Sequence, residues 1–414
     1  MPEKLNTFDK SMALFRRAAA SIPGGIPGHF SPALTVPGSF PYYAVRGQGC
    51  RYWDADGNQF IDFMCGYGPI ILGYHHAKVD EAARRQREQG SVFNHPTALT
   101  VELAERLVSM VPIADWATFA RNGSDVCTYL VLVARQHTQR RKILMAKGAY
   151  HGTHAWCIHG IAGLIPEDYE HVLRFTWNDL DELASLVQKN AGDVAGIILT
   201  PYHHPAFGDS VLPAPGFMQG VRELCDRHGI VFIMDDVRAG FRLDLGGSNE
   251  YFGFKPDAIA FCKALANGHV ISAAVGREEL KKAASQVFFT GSYYNSAAEM
   301  AAALACLEEL EQTRAVPHML EMGAMLQQGL RDRAAKHGLQ VTVSGPPSIP
   351  AMTFSNEKNF LRMQRFSAEA ARRGVFFHPH HNWFLCAAHQ ENDIREALEV
   401  ADRCFAIVKA EFGS

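Results

Sequence analysis

"GIVFIMDDVRAGFR", residues 229–242, decides the fold. Five apolar residues in a row, Ile230 to Met234, end in two carboxylates, Asp235 and Asp236. A run that apolar is a strand covered on both faces, as in the parallel sheets of α/β proteins. Adjacent side chains on a strand point to opposite faces, so one carboxylate is turned to each side. A buried carboxylate needs a positive partner to offset its desolvation.

Working outward, short apolar strands alternate with helices from about residue 70. The strand candidates are "ATFAR", "KILMA", "HVLRFTW", "AGIILT", "IVFIMD", "AIAFC" and "SAAVG". Helical patterns fall at 98–110, 125–139, 179–190 and 215–228, and a longer one begins at residue 296. The alternation predicts an α/β fold with a mainly parallel seven-stranded sheet. Upstream, a helix is predicted over 7–20. Residues 42–63 alternate apolar and polar around "DADGN" and read as a hairpin pair. Downstream, "LQVTVSGPPSIPAMTFS" and "VFFHPHHNWFLCAAH" read as strands of a smaller α+β part. The expected organisation is an N-terminal segment 1–68 contributing to the small domain, a large domain 69–305 and a C-terminal small domain 306–414.

The 414 residues carry a net charge of −3, with 47% apolar and 20% charged residues. That balance gives no general attraction to nucleic acid or acidic membranes. No segment has the run of about 20 apolar residues that a membrane span needs. The polar start "MPEKLNTFDK" and nine dispersed cysteines without a CxxC pair fit a cytoplasmic protein with reduced thiols.

Ligands of parallel sheets sit at the carboxyl ends of strands. Four features occupy that edge. "RNGSDV", 121–126, follows a strand and opens a helix. Gly123 permits close backbone approach, and Ser124 lies where free N–H groups and the helix dipole favour an anion such as phosphate. The same residues also make an ordinary N-cap. "KGAYHGTHAW", 147–156, presents Tyr150 and His151 from a Gly-flanked loop, where an aromatic ring can stack on a planar cofactor. Asp235 ends the central strand. "AFCKALANG", 260–268, places Lys263 among small and apolar residues, where burial lowers the amine pKa and frees it as a nucleophile. Together they match pyridoxal 5′-phosphate (PLP): phosphate in the cradle, ring against Tyr150, pyridine nitrogen on Asp235, aldehyde on Lys263. The histidines of "HPHHNW", His378, His380 and His381, suggest a metal, but no cysteine or carboxylate spacing completes a set there; no metal is expected.

The chain resembles the class III aminotransferases of fold type I, in the branch around glutamate-1-semialdehyde 2,1-aminomutase. The likeness lies in "YWDADGNQFIDF", "GYGPIILGYHH", "GAYHG", "MDDVRAGFR", "LGGSNEYFGFKPDAIAFCKALANG" and "NSAAEMAAALACLEEL", and covers nearly the whole chain. The resemblance implies that Lys263 is the Schiff-base lysine and Asp235 the partner of the pyridine nitrogen. Val237 would pack on the ring face opposite Tyr150, with Gly123 and Ser124 in the phosphate loop. Ser292 stands where the family has a threonine that reaches the phosphate of the neighbouring subunit, which implies a homodimer with shared active sites. Phe30, Tyr67 and Trp383 are expected in the substrate pocket. The family's "VEP" reads "LTPYHHP" here, so its glutamate is Thr200. The aminomutase-like "SPVR" has no arginine counterpart in "IPGHFSPAL", which leaves Arg121 and Arg238 as candidates for a carboxylate. The expected activity moves an amino group from an amine or non-α amino acid to a keto acid such as pyruvate, with ping-pong kinetics. Intramolecular transfer of the aminomutase type is the alternative.

Overall fold

The computed structural model describes residues 5–26, 43–160, 162–205, 208–355, 357 and 359–413. Phe30 lies outside the described residues. The chain divides into two compact units. One gathers Met1–His76, Ala206–Ser210 and Pro317–Ser414; the other gathers Ala77–Pro205 and Val211–Val316.

The first unit opens with β1 (Ala44–Gln48), β2 (Arg51–Asp54) and β3 (Gln59–Asp62), paired antiparallel in that order. The sequence predicts one hairpin here, and the structure makes two. Gly49, with φ of +56°, reverses the chain between β1 and β2. The Asp54 carboxylate then accepts the amides of Asp56 (3.0 Å) and Asn58 (2.8 Å) and closes the second turn.

The second unit holds β4 (Trp116–Ala120), β5 (Lys142–Ala146), β6 (Val172–Phe175), β7 (Val194–Leu199), β8 (Val231–Asp235), β9 (Ala258–Phe261) and β10 (Ser272–Gly276). They form one seven-stranded sheet in the order β4-β10-β9-β8-β7-β5-β6. The core run β9-β8-β7-β5-β6 is parallel, and β10 is antiparallel to both of its neighbours. Each of the seven strands expected from the sequence is present. Every residue of β7, β8, β9 and β10 is buried, as their unbroken apolar runs require. Helix Gly123–Thr138 buries Val126, Leu130, Val133 and Ala134, a spacing of three and four that makes one helix face. Burial of each large aliphatic chain contributes about 1.5–3 kcal/mol.

The first unit closes with β11 (Val341–Ser344) and β12 (Ala351–Phe354), an antiparallel pair, and β13 (Val375–Phe376), parallel to β3. The strand expected over 375–389 stops after two residues. Pro379 has no N–H for a ladder. Beyond it the amides of Trp383, Phe384 and Leu385 donate in turn to Pro350, Phe63 and Ser348. The apolar character of this stretch is core burial rather than strand pairing. Among the described residues no helix is long and apolar enough to cross a membrane.

Candidate active site

The site is built from the carboxyl ends of β4, β5, β8 and β9. Helix Gly123–Thr138 begins just past β4. Its N-cap Asn122 accepts the Asp125 amide at 3.2 Å, while the Asp125 carboxylate accepts the Asn122 amide at 3.1 Å. This reciprocal box turns the Asp125 charge back on its own loop. Gly123 and Ser124 then form the first turn of a 16-residue helix. A methyl on Gly123 would meet Val237 Cγ1 at 2.8 Å. One on Gly152, at φ +129°, would meet Ser124 Oγ at 2.4 Å. Ser124 Oγ accepts the Thr153 amide at 3.0 Å, so the loop after β5 is tied to the start of the helix. The cradle has no room for a Cβ on either side, which is what close backbone approach to a phosphate demands.

Asp235 closes β8 and is buried. Its Oδ2 accepts from His151 Nδ1 at 2.7 Å and its Oδ1 accepts the Val237 amide at 3.1 Å. The His151 ring is wholly enclosed, 6.4 Å from the Trp156 ring and nearly parallel to it. His151 therefore acts on Asp235. Tyr150, beside it, is 40% exposed, with its edge toward His159, so its ring remains available for stacking. Asp236 points the other way, as strand alternation requires. It accepts Ser248 N at 2.8 Å and Ser248 Oγ at 2.6 Å. Burial pushes its carboxyl up to about 7 despite those two donors.

Lys263 follows β9 at the head of the short 3₁₀ turn Lys263–Ala266, with a left-handed φ of +33°. Such a backbone costs a non-glycine residue about 1–3 kcal/mol, and strain of this kind clusters at functional sites. The amine is pushed down to about 7, first by burial, then by the guanidinium of Arg238, with Arg242 adding to it; Cys262 and Asp235 oppose the shift. A lysine so placed is in large part an uncharged nucleophile near neutral pH.

Other expected residues divide. Val237 is half-buried against Gly123. Ser292 is exposed in the turn that precedes helix Ala297–Gln312. Arg121 Nη1 donates to the carbonyl of Tyr293 in that same turn at 3.4 Å and lies 3.8 Å from Glu299. It braces the Ser292 turn against the phosphate cradle. Arg238 stands in the field of Lys263, Tyr202 and Asp235. Thr200 is buried and its hydroxyl donates to the Tyr202 carbonyl at 2.8 Å. Trp383 is fully buried in the first unit, its indole N–H donating to the His378 carbonyl at 2.9 Å and its ring 4.4 Å from Phe377. Tyr67, also of the first unit, is half-buried edge-on to His378 and His381.

Sequence reasoning missed Asn122, Thr153 and Ser248. The first has a local signal, Asn-x-x-Asp before an apolar run. The other two are set by loop packing and have none.

A family model described as "Aminotransferase class-III" matches residues 35–399. The chain is 40% identical over 401 residues, 97% of its own length and 95% of the relative's, to an aminopentol aminotransferase of Sphingopyxis macrogoltabida. It is 35% identical over 414 residues, covering 99% of both chains, to a 3-aminobutyryl-CoA aminotransferase of Cloacimonas acidaminovorans (strain Evry). Among solved structures it is similar to the PLP internal aldimine form of the Sphingopyxis sp. MTA144 FumI protein, with a TM-score of 0.95, 39% identity and 98% of each chain covered.

Proposed function

Because this chain belongs to the class-III aminotransferases and uses PLP, we propose that it takes the amino group from an amine or a non-α amino compound and passes it to a keto acid. The observation that carries the site assignment is the pairing of Lys263, its amine pushed down to about 7, with Asp235, a buried carboxylate held by His151. Two features favour the donor class. The relatives named above act on aminopentol and on a 3-amino acyl thioester, neither of them an α-amino acid. The sequence also lacks the arginine of the aminomutase-like "SPVR" element.

PLP, when bound, supplies the electron sink that accepts the pair released from the substrate C–H bond. The rest is the work of this chain. Asp235 would hold a ring nitrogen protonated, and His151 and the Val237 amide fix its orientation. Lys263 would hold the cofactor's aldehyde, and its amine, pushed down to about 7, would serve as the base that takes a proton from the substrate carbon and returns one. Tyr150 and Val237 would hold the ring plane, and Gly123 and Ser124 with the helix N-terminus would hold the phosphate. Arg238 is the cation best placed for the acceptor's carboxylate.

A second copy completes the site in this reading. Ser292 is exposed, with Phe288 at 90% and Tyr293 at 61% exposure beside it, a surface suited to a homodimer in which Ser292 reaches the neighbour's phosphate. None of the nine cysteines is in a disulfide, in keeping with a reducing cytoplasm.

Alanine formation from pyruvate, measured across a panel of amines, β-amino compounds and α-amino acids, tests the activity. Turnover on amines that requires the added keto acid is expected. Turnover confined to glutamate 1-semialdehyde without any acceptor would overturn it in favour of intramolecular transfer. Light scattering of the holoenzyme should give the mass of two chains.

A further inference from the structure

We propose that Cys65, Cys386 and His389 form a buried site for a thiophilic divalent ion, zinc by its donor chemistry. The group lies in the first unit and takes no part in the proposed transamination. One ligand atom from each residue falls within 4.8 Å of the other two. Cys386 Sγ lies 3.2 Å from His389 Nδ1. A tetrahedral ion at ordinary Zn–S and Zn–N distances spans edges of about 3.6–3.8 Å, so the three atoms need only small shifts to take three of its four corners.

The surroundings are built rather than incidental. Cys65 and Cys386 are each 1% exposed and His389 is 0% exposed. The Asp62 carboxylate accepts the amides of Met64 (2.7 Å) and Cys65 (3.0 Å) and the hydroxyl of Tyr74 (2.7 Å). That holds Cys65 in its left-handed conformation, φ +48°, with its sulfur toward the Phe384 carbonyl at 3.4 Å. The imidazole stacks on Phe63 at 4.8 Å, and the His389 carbonyl accepts from His318 Nε2 at 2.7 Å. On the ring itself, the Cys386 amide and thiol both converge on Nδ1, at 3.0 and 3.2 Å, and an ion bound at that lone pair would displace the amide.

Charge favours a dication. Two thiols exchange their protons for one Zn²⁺, so two Zn–S bonds form, two protons leave, and the dry pocket gains no net charge. Two sulfurs and one imidazole select zinc over hard ions such as magnesium. The cysteines come from opposite ends of the chain, which is why no spacing motif shows the group. The histidines that do look like a motif, His378, His380 and His381, instead pack edge-on against Tyr67 and one another, with ring centroids 5.2–6.3 Å apart.

The test uses the PLP-loaded enzyme, zinc salt alone and gel filtration without chelator. The enzyme should retain about one zinc per chain, with release of about two protons on loading. The double variant Cys65→Ser/Cys386→Ser should retain none while keeping the cofactor absorbance. Metal-free wild type after loading, or equal zinc in the double variant, overturns the site. Should the double variant not fold, the wild type decides. Zinc should protect Cys65 and Cys386 from iodoacetamide under mild denaturant, as mapped by peptide mass, and a chelator should abolish the protection. Equal labelling with and without zinc overturns it.

Discussion

The two ends of the central strands carry the same chemistry under opposite conditions. At the amino end of β9, Asp257 accepts from the guanidinium groups of Arg222 and Arg277, each at 2.9 Å, and from the Phe232 amide at 2.7 Å. At the carboxyl end of β8, Asp235 has one imidazole and one amide. The nearby cations Lys263 and Arg238 are both pushed down, with burial the first cause for each; the Arg238 charge adds to the depression of Lys263. One end is neutralised in place and can only hold the fold together. The other keeps a carboxylate and an amine in reserve, which is the condition for binding a charged ring and moving a proton.

Removing the amine breaks the comparison most severely. Lys263→Ala should lower kcat by at least ~10³-fold and abolish any borohydride-trapped PLP adduct on the peptide that contains position 263. An adduct that survives on another lysine would show that the reserve lies elsewhere. Asp235→Asn keeps the shape and the Val237 contact but loses the charge. A fall in kcat on the order of 10²–10³-fold is expected, with folding intact by circular dichroism.

Much of this contrast is legible in the sequence. Ile230–Asp236 announces a covered strand and a charge at its mouth, because unbroken apolar runs survive only with both faces buried. Lys263 stands out for the same reason, a cation between Phe261 and the apolar residues 264 to 266. The hairpins of 42–63 are harder. Alternation cannot tell one long return from two, because that depends on Gly49 and on the Asp54 carboxylate finding its turn amides. The segment after Pro379 misleads because burial and strand pairing favour the same residue types. The partners of Thr200 and Trp383 are hidden for a third reason: a resemblance fixes where a residue stands in the chain, but not which carbonyl its side chain reaches.

The charge around Lys263 sharpens the comparison through pH. A lysine pushed down to about 7 is protonated below that value and uncharged above it. Capture of PLP by the apoenzyme should therefore accelerate as pH rises through about 7 and level off above. Arg238→Gln removes a like charge, so the protonated amine is less disfavoured and the midpoint should move up by about one unit, as followed by the rate of absorbance gain on mixing. A midpoint that stays in place would assign the depression to burial alone. Smaller still is Gly152→Ala. The new methyl would press on Ser124 and fill the cradle, and PLP affinity should weaken about tenfold, read by equilibrium dialysis, with the spectrum of the bound form unchanged.

Asp257→Asn is the counterpart of Asp235→Asn at the other end of the sheet and should have the smallest effect on turnover. The substitution keeps a hydrogen-bonding group but leaves Arg222 and Arg277 facing each other across an amide. Both guanidinium groups retain some exposure, with side chains 17% and 42% accessible, so water and their other partners, Asp226 and Glu279, absorb part of the loss. A destabilisation of about 2 kcal/mol is expected in urea unfolding of the holoenzyme. The kcat and the pH midpoint of PLP capture should stay within about twofold of the parent, because no group at this end reaches the reacting atoms. If the same asparagine substitution lowered kcat at both ends alike, the division of the sheet into a neutralised edge and a reactive one would fail, and Asp235 would be one more structural carboxylate.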